Sequence, residues 1–272
     1  MRGFAKRLLI AAGGLLWPLA LLAQTAPVTL TLSESQLSWV GERIFQNECA
    51  GKHECLVHWN QGEAFPSLGI GHFIWYPAGV EGRFTESFPD LIRFMKQQGQ
   101  ALPPWLRRLE PMDAPWPDRN AFIAEQGGER AESLRRLLAD SQALQAEFMF
   151  ARARQALGRV LAAVAAQSRS TVEADLADLA ASPGGVYAMI DYVNFKGEGL
   201  AESERYQGQG WGLKQVLETM ASSENGTALE RFREAAAEVL TRRAHNANQA
   251  IERERWLAGW LKRVETYRDR GG

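Results

Sequence analysis

Apolar residues recur at intervals of three and four along much of this chain, the spacing that places them on one face of an α-helix. The pattern is clearest in the second half, where polar and turn-forming residues separate the apolar segments. The helices predicted there span residues 130–139, 141–166, 171–181, 185–195, 227–246 and 249–267. A further helix is predicted at 87–99, and the first begins at Ser33 or Ser35. The pattern therefore predicts a mainly helical protein.

The first predicted helix carries a carboxyl group on its apolar side. One face, at helical spacing, holds Leu37, Val40, Ile44 and Glu48. A carboxyl group among apolar neighbours loses hydration, which favours its neutral, proton-donating form. Glu48 is therefore a candidate general acid. The alternative is a glutamate at a frayed helix end that points to solvent.

A β-hairpin is predicted directly after this helix. Residues 55–59 form one strand, residues 60–63 a turn, and residues 65–73 the returning strand. In the returning strand Gly69 and Gly71 alternate with larger residues, so one face of the strand lacks side chains. Such strands occur where a ligand or another part of the backbone approaches closely.

The order of helix-end glutamate, polar turn, hydroxyl residue and Gly-Ile-Gly-His resembles the catalytic lobe of phage-type lysozymes, which cleave bacterial cell-wall glycan. The resemblance implies a lysozyme-like fold of mainly α (α+β) class, with a large helical lobe, a small β-hairpin lobe and a cleft between them. It also implies that Glu48 is the acid and that Ser67 replaces a threonine of the family. The family's turn aspartate is replaced by Gln61, so Glu63 is the nearest candidate for the second catalytic group, with Asn60 beside the turn.

Weaker similarities to this superfamily occur later in the chain. Residues 187–199 resemble the buried helix that ends in an asparagine and glycines, and residues 240–243 resemble a late double arginine. Chitosanases and lytic transglycosylases share the same plan of an acid followed by a hairpin. Glu202-Ser203 with residues 212–216 resembles two lytic transglycosylase motifs, although no hairpin comparable to that of the family separates them.

A polar, glycine-rich loop is predicted at residues 196–212, between two apolar helices. Loops on a rigid scaffold often carry function, and this one offers hydrogen-bonding groups to sugar hydroxyls. A flexible surface hairpin is the alternative. The candidate substrate-binding residues of this loop and of the first hairpin are Asn60, Gln61, Gly69, His72, Trp75, Glu198, Gln207, Gln209 and Trp211.

Aromatic residues surround a proline-rich segment at residues 102–117, which is predicted to be a wrapped loop. Trp105 and Trp116 lie in it, and Trp59, Trp75 and Tyr76 precede it. These rings either stack on sugar faces in a glycan groove or pin the loop to the core. For His72, packing within the strand is the alternative to ligand binding.

Residues 1–26 have the features of a secretory signal peptide, with a basic start, an apolar stretch and small residues before a cleavage point. The apolar stretch contains glycines and a proline and is short for a membrane span. We therefore expect a periplasmic or secreted protein with one lysozyme-like domain at residues 27–272 and no stable membrane span after cleavage.

Both cysteines, Cys49 and Cys55, lie next to the candidate acid. Because disulfides form in oxidising compartments, an exported chain is expected to join them, which would fix the turn after Glu48. A metal site that recruits His53 and His58 is the alternative, but its spacing matches no standard zinc pattern. We predict neither a metal nor a cofactor.

The charge balance narrows the range of partners. The sequence has 31 basic and 32 acidic residues, and loss of the signal leaves 28 basic against 32 acidic. A net charge of about −4 with no basic run argues against nucleic acid, and it suits a polycationic substrate such as chitosan better than an anionic wall.

The predicted function is hydrolysis of an amino-sugar polymer, with peptidoglycan as the first candidate. The expected partner is a glycan polymer, peptidoglycan or chitosan-like, and the sequence does not identify protein partners. The alternatives are a catalytically inactive glycan-binding or assembly module of the same fold, a lytic transglycosylase, and a chitosanase.

Overall fold

The computed structural model describes residues 32–82, 84–223 and 225–269. Helices dominate this part of the chain, so the predicted mainly helical class is confirmed. The helices are α1 (Glu34–Cys49), α2 (Phe88–Gln97), α3 (Pro104–Arg107), α4 (Arg119–Ala124), α5 (Glu129–Asp140), α6 (Gln142–Ala163), α7 (Arg169–Ala180), α8 (Pro183–Lys196), α9 (Leu213–Met220), α10 (Ala228–Asn246) and α11 (Leu257–Val264). Short 3₁₀ turns occur at His53–Leu56 and Glu202–Glu204. The strands are β1 (Val57–His58), β2 (Ser67–Leu68), β3 (Phe73–Ile74), β4 (Arg205–Tyr206) and β5 (Gln209–Gly210).

Helix α1 begins where the sequence predicts. The Ser33 hydroxyl accepts a hydrogen bond from the Gln36 amide, and the Gln36 side chain accepts one from the Ser33 amide, which completes a capping box. The C-cap residue after Cys49 is Ala50, whose left-handed conformation, with a φ of 48°, ends the helix. Val40 and Ile44 are fully buried, so the predicted apolar face packs into the core.

The small sheet has three antiparallel strands in the order β1-β2-β3, with Val57 opposite Leu68 and Leu68 opposite Phe73. The prediction of one returning strand over residues 65–73 is wrong, because residues 69–72 form a tight turn between β2 and β3. Gly69 has a φ of 68° and His72 a φ of 47°, and these left-handed conformations reverse the chain. The predicted first strand is also shorter, since a 3₁₀ turn occupies its beginning.

Other side chains of the protein occupy the space beside Gly69 and Gly71, where the sequence predicted an open surface. A Cβ on Gly69 would lie 2.2 Å from Oε1 of Gln145, which accepts a hydrogen bond from the Ile70 amide at 2.9 Å. A Cβ on Gly71 would lie 2.6 Å from the Phe73 ring. The glycines therefore allow α6 to approach this turn, and Gly69 is not available as a ligand-binding surface.

The tryptophans near the proline-rich segment belong to the core, which corrects the proposed role of Trp75 in substrate binding. Trp75 is fully buried, packs against Phe88 at a centroid distance of 4.5 Å, and donates a hydrogen bond to the Met112 carbonyl. Trp116 is also buried and donates to Glu125. These rings pin the segment to the core and offer no face to a sugar.

Helix α8 runs through the centre of the helical part and contacts α1, α6, α7, α9 and α10. Its residues from Gly184 to Tyr192 are all buried, as is typical of a helix that packs on every side. Asp191 is the carboxylate within this buried run, and it lies where α1 and the C-terminal helix meet α8.

The predicted C-terminal helix at 249–267 differs from the observed one. A π-helical turn at Glu252–Trp256 precedes α11, and α11 ends at Val264. The wide turn places Glu252 in the interior, where its carboxylate accepts hydrogen bonds from Arg243 and Tyr206. Helical periodicity alone does not predict such a turn, because its register depends on these partners.

The predicted signal peptide, residues 1–26, lies outside the described residues. Among the residues that the structure describes, no helix has the length and apolar character needed to cross a bilayer.

Candidate functional site

Glu48 is the last residue but one of α1, and its carboxylate lies between the small sheet and the helices. Oε1 is 2.5 Å from Nη2 of Arg263, and Oε2 is 3.2 Å from Nδ1 of His72. The Glu48 side chain is 11% exposed. The acid predicted to sit among apolar groups is thus held by two nitrogen groups, because helix α11 brings a guanidinium to the end of α1.

Arg263 joins Glu48 to a second carboxylate. Its Nε and Nη2 donate to the two oxygens of Asp191 at 2.8 Å each, and Asp191 also accepts from the Tyr267 hydroxyl at 2.8 Å. Burial disfavours the charged guanidinium, but Asp191 and Glu48 outweigh this effect and hold the pKa of Arg263 above its ordinary value. The guanidinium is therefore a fixed positive charge shared by two carboxylates.

His72 links this network to the disulfide bond. The predicted bond between Cys49 and Cys55 is present. Nε2 of His72 lies 3.6 Å from Sγ of Cys55, while Nδ1 faces Glu48. The His72 side chain is 35% exposed, so it connects the buried carboxylate with solvent.

The structure does not assemble the alternative metal site with His53 and His58. The His53 ring lies against Phe45, and His58 is exposed on β1. The sulfurs of Cys49 and Cys55 and a ring nitrogen of His72 all lie within 4.8 Å of one another. Because the two sulfurs are bonded to each other, they do not provide the thiolates that zinc prefers.

A second ion pair lies beside the first, on the other side of two aromatic rings. Nε of Arg243 is 2.9 Å from Oε2 of Glu252, and the Arg243 guanidinium lies 4.1 Å from the centroid of Trp211 and 4.8 Å from that of Trp260. Arg263 lies 4.1 Å from the centroid of Phe195. Nζ of Lys196 lies between these last two rings, 3.9 Å from the centroid of Phe195 and 3.6 Å from that of Trp260, so cations and rings alternate from Arg263 to Arg243.

Only some of the candidate site residues in the first hairpin lie close to Glu48. The loop at residues 59–66 and the turn at residues 69–72 lie at opposite ends of β2, and only the turn contacts Glu48. Glu63, in the loop, accepts a hydrogen bond from Asn60 at 3.1 Å, and Gln61 is exposed beside them. Among the described residues, no hydrogen bond or ion pair joins Glu63 to Glu48.

Ser67 lies in the central strand β2, opposite His58 and Ile74, and is buried. The prediction that Ser67 lies in a strand is therefore confirmed. Its side chain is buried in the sheet, and its predicted role as a catalytic residue stays a prediction.

The predicted polar loop is largely ordered by contacts within the protein. Residues Arg205–Tyr206 and Gln209–Gly210 pair as a short β-hairpin, in keeping with the alternative of a surface hairpin in this loop. Glu202 is 88% exposed and pairs with Arg205, so it is not a buried acid.

The remaining candidates of this loop have partners of their own. Glu198 pairs with Arg159, while Gln207 and Gln209 are exposed and share hydrogen bonds with Asn246. Trp211 is buried, so its ring packs inside the protein instead of facing a ligand. Only the two glutamines keep the exposure that sugar binding requires.

A cavity of about 140 Å³ lies between α6 and α8, close to the turn at residues 69–72. Arg152, Arg159 and Glu198 line its charged side. Asn194 lines it as well and donates a hydrogen bond to the Gly71 carbonyl at 3.4 Å. The cavity and the Glu48 network therefore both border the turn at residues 69–72.

The sequence reasoning missed Asp191, Lys196 and Arg263. A carboxylate within the apolar segment 185–195 was the available signal for Asp191, because such a group needs a buried partner. The proposed late double arginine does not supply that partner: Arg243 belongs to the neighbouring ion pair, and Arg242 pairs with Glu238 on its own helix. No local pattern distinguishes Arg263 from the other basic residues of its helix.

Comparison with family models, with curated proteins and with solved structures gives no significant match to this chain. The similarity to phage-type lysozymes therefore stays a prediction from the residues quoted above.

Proposed function

We propose that this protein is an exported glycoside hydrolase of lysozyme-like fold that cleaves an amino-sugar polymer, with peptidoglycan as the first candidate substrate. Glu48 is the proposed proton donor. The observation that carries this proposal is the position of its carboxylate, which is nearly buried at the end of α1 where the small sheet meets the helices.

The neighbours of Glu48 suit this role in two respects. Arg263 and its bidentate contact with Asp191 fix the direction of the carboxylate, and a fixed direction lowers the cost of reaching the reactive geometry. His72 is partly exposed and 3.2 Å away, so it can return a proton from solvent after each cycle.

The identity of the second catalytic group follows from a comparison of two variants. If Glu63 acts as the base or charge stabiliser, Glu63→Gln and Glu48→Gln both lose turnover. If Glu48 works alone, only Glu48→Gln does.

The test uses the mature protein with peptidoglycan sacculi and, separately, with chitooligosaccharides, and it measures released fragments by mass spectrometry. Removal of a general acid typically costs about 10²–10⁴ in rate, so we expect Glu48→Gln to lose at least about a hundredfold. Glu42→Gln is the matched control, because Glu42 is exposed on the same helix. Equal turnover by wild type and Glu48→Gln would remove Glu48 from its role.

One observation favours a second candidate, a catalytically inactive glycan-binding module. Both oxygens of the Glu48 carboxylate already contact protein groups, Arg263 and His72, so a glycosidic oxygen would have to compete with these partners. This candidate predicts that wild type releases no fragments from either substrate, and that wild type and Glu48→Gln bind the glycan with equal affinity.

A further inference from the structure

A cysteine, a histidine and a glutamate lie in a row where α1 ends. Sγ of Cys55 is 3.6 Å from Nε2 of His72, and Nδ1 of the same ring is 3.2 Å from Oε2 of Glu48. The order of sulfur, imidazole and carboxylate is the one that activates a nucleophile, because the imidazole can take the proton of the thiol while the carboxylate orients the imidazole. In the oxidised protein this arrangement is blocked, since Cys55 is bonded to Cys49.

The surroundings of His72 direct a basic nitrogen at the sulfur. Because Nδ1 faces a carboxylate, this nitrogen carries the ring proton, which leaves the lone pair of Nε2 on the side of Cys55. Glu48 is in turn held by Arg263, so the ring has a fixed partner. The Glu48 carbonyl oxygen also lies 3.5 Å from Sγ of Cys55. A carbonyl can accept a hydrogen bond from a thiol but is far too weak a base to remove its proton, so the imidazole is the base.

The two cysteines differ in their access to solvent. Cys49 is 5% exposed and belongs to the core, whereas Cys55 is only partly buried. The His72 side chain beside Cys55 is 35% exposed. A reagent that comes from solvent therefore reaches the Cys55 sulfur and the imidazole together, and this asymmetry is typical of a pair in which one cysteine reacts and the other resolves the product.

We propose that Cys49 and Cys55 form a redox-active pair that exchanges electrons with dithiols, with Cys55 as the reactive thiol and His72 as its base. In reduction, one thiolate of the dithiol attacks Sγ of Cys55, the bond to Cys49 breaks, and its electron pair passes to the Cys49 sulfur. The second thiolate of the dithiol then attacks the dithiol's own sulfur in the mixed disulfide and releases Cys55 as a thiolate. The protein gains two electrons, and the dithiol becomes a disulfide. Of the two protons that the dithiol loses, one is taken by Cys49 and one by Nε2 of His72.

The thiolate released in this way has a counter-ion in place. A protonated His72 lies between two negative groups, the Cys55 sulfur and the Glu48 carboxylate, and an imidazolium next to a thiolate favours the ionised sulfur. An unassisted thiol is only about 1% thiolate at pH 6.5, so assistance by His72 should be clearest near this pH. No step involves a glycan, and the inference therefore does not depend on the proposed glycan cleavage.

The test is alkylation of the mature protein by iodoacetamide, after reduction with dithiothreitol and its removal, with each cysteine followed by mass spectrometry. At pH 6.5 we expect Cys55 to react at least about tenfold faster in wild type than in His72→Asn. Asparagine is chosen because it tolerates the left-handed conformation of residue 72. His58→Asn is the matched control, since His58 is exposed on β1, and it should behave as wild type. At pH 9, where thiols ionise without help, the difference should nearly vanish.

Equal rates in wild type and His72→Asn at pH 6.5 overturn the proposal. A difference that persists unchanged at pH 9 also overturns it, because that result would reflect access to the sulfur and not its ionisation. Cys49→Ser provides a second measurement, since it leaves Cys55 free without a reductant, and we expect the same dependence on His72 in this background. Circular dichroism checks folding. If both reduced wild type and Cys49→Ser are unfolded, the inference is contradicted, because a redox-active pair requires a folded protein in both states.

Discussion

Arg263 is the residue on which the candidate site depends most, and its replacement by methionine is the most informative perturbation of stability. Methionine keeps much of the apolar stem of the side chain but removes the guanidinium, which lies over the Phe195 ring. The change leaves two carboxylates without their cation: Asp191, which is fully buried, and Glu48, which is 11% exposed.

The expected loss of stability follows from this burial. Removal of one partner of a buried ion pair costs about 3–5 kcal/mol, because the remaining charge is left without compensation. Asp191 keeps its hydrogen bond from Tyr267 and Glu48 keeps its contact with His72, which limits the loss. We therefore expect Arg263→Met to lower the free energy of unfolding by about 4 kcal/mol.

The assay is urea unfolding of the mature protein at pH 7, followed by circular dichroism, together with thermal unfolding. For a domain of this size, about 4 kcal/mol corresponds to a decrease in Tm of roughly 8–16 °C. Arg242→Met is the matched control, because Arg242 pairs with Glu238 at the helix surface and such pairs contribute about 0–1 kcal/mol.

If Arg263→Met lowers the free energy of unfolding by less than about 1 kcal/mol, the reasoning is refuted, because a buried Asp191 carboxylate without its cation should destabilise the protein by more than this. Equal losses in the Arg263 and Arg242 variants would show a general effect of arginine removal. Either result would mean that the network is not what fixes Glu48 in place.

Two further predictions concern backbone conformation and pH. Gly69→Ala should destabilise the protein by about 2–4 kcal/mol in urea unfolding, because the new Cβ would lie 2.2 Å from Gln145 at a φ of 68°. Gly62→Ala, at a φ of 88° with open space around it, should cost about 1 kcal/mol, and equal losses would contradict the packing argument. Burial lowers the pKa of Lys196 to about 6 in the folded protein, so between pH 6 and about 10 the amine carries a proton in the unfolded chain but not in the folded one. The free energy of unfolding of wild type, relative to that of Lys196→Met, should therefore rise by about 1.4 kcal/mol per pH unit across this interval. Unfolding of both proteins at a series of pH values measures this slope, and a difference independent of pH would contradict the assigned pKa.

Much of the fold could be predicted because its causes are local in the chain. Helical periodicity predicts α1, α5, α6 and α8 to within a few residues, and the capping serine of α1 is Ser33. The disulfide bond joins the two cysteines of the sequence, which lie six positions apart and were expected to pair in an exported chain. A spacing or a cap acts within a few residues, and the sequence displays it directly.

The errors in the small sheet have a physical reason. Alternating glycines predict a bare strand, but Gly69 and His72 adopt left-handed conformations and turn the chain. What selects this turn is the Gln145 side chain, which comes from α6 and accepts the hydrogen bond of the Ile70 amide. The same glycine pattern serves a ligand surface in one protein and close packing in another, so the sequence leaves both open.

By itself the sequence determined a mainly helical chain, an acid at the end of its first helix, and a cysteine pair able to fix the turn beyond it. Only the tertiary structure decided the surroundings of that acid. Glu48 and Arg263 are 215 positions apart, and the outcome depends on which faces of α1, α8 and α11 meet. Coulomb forces act through space and not along the chain, so a contact between distant helices leaves no local signature.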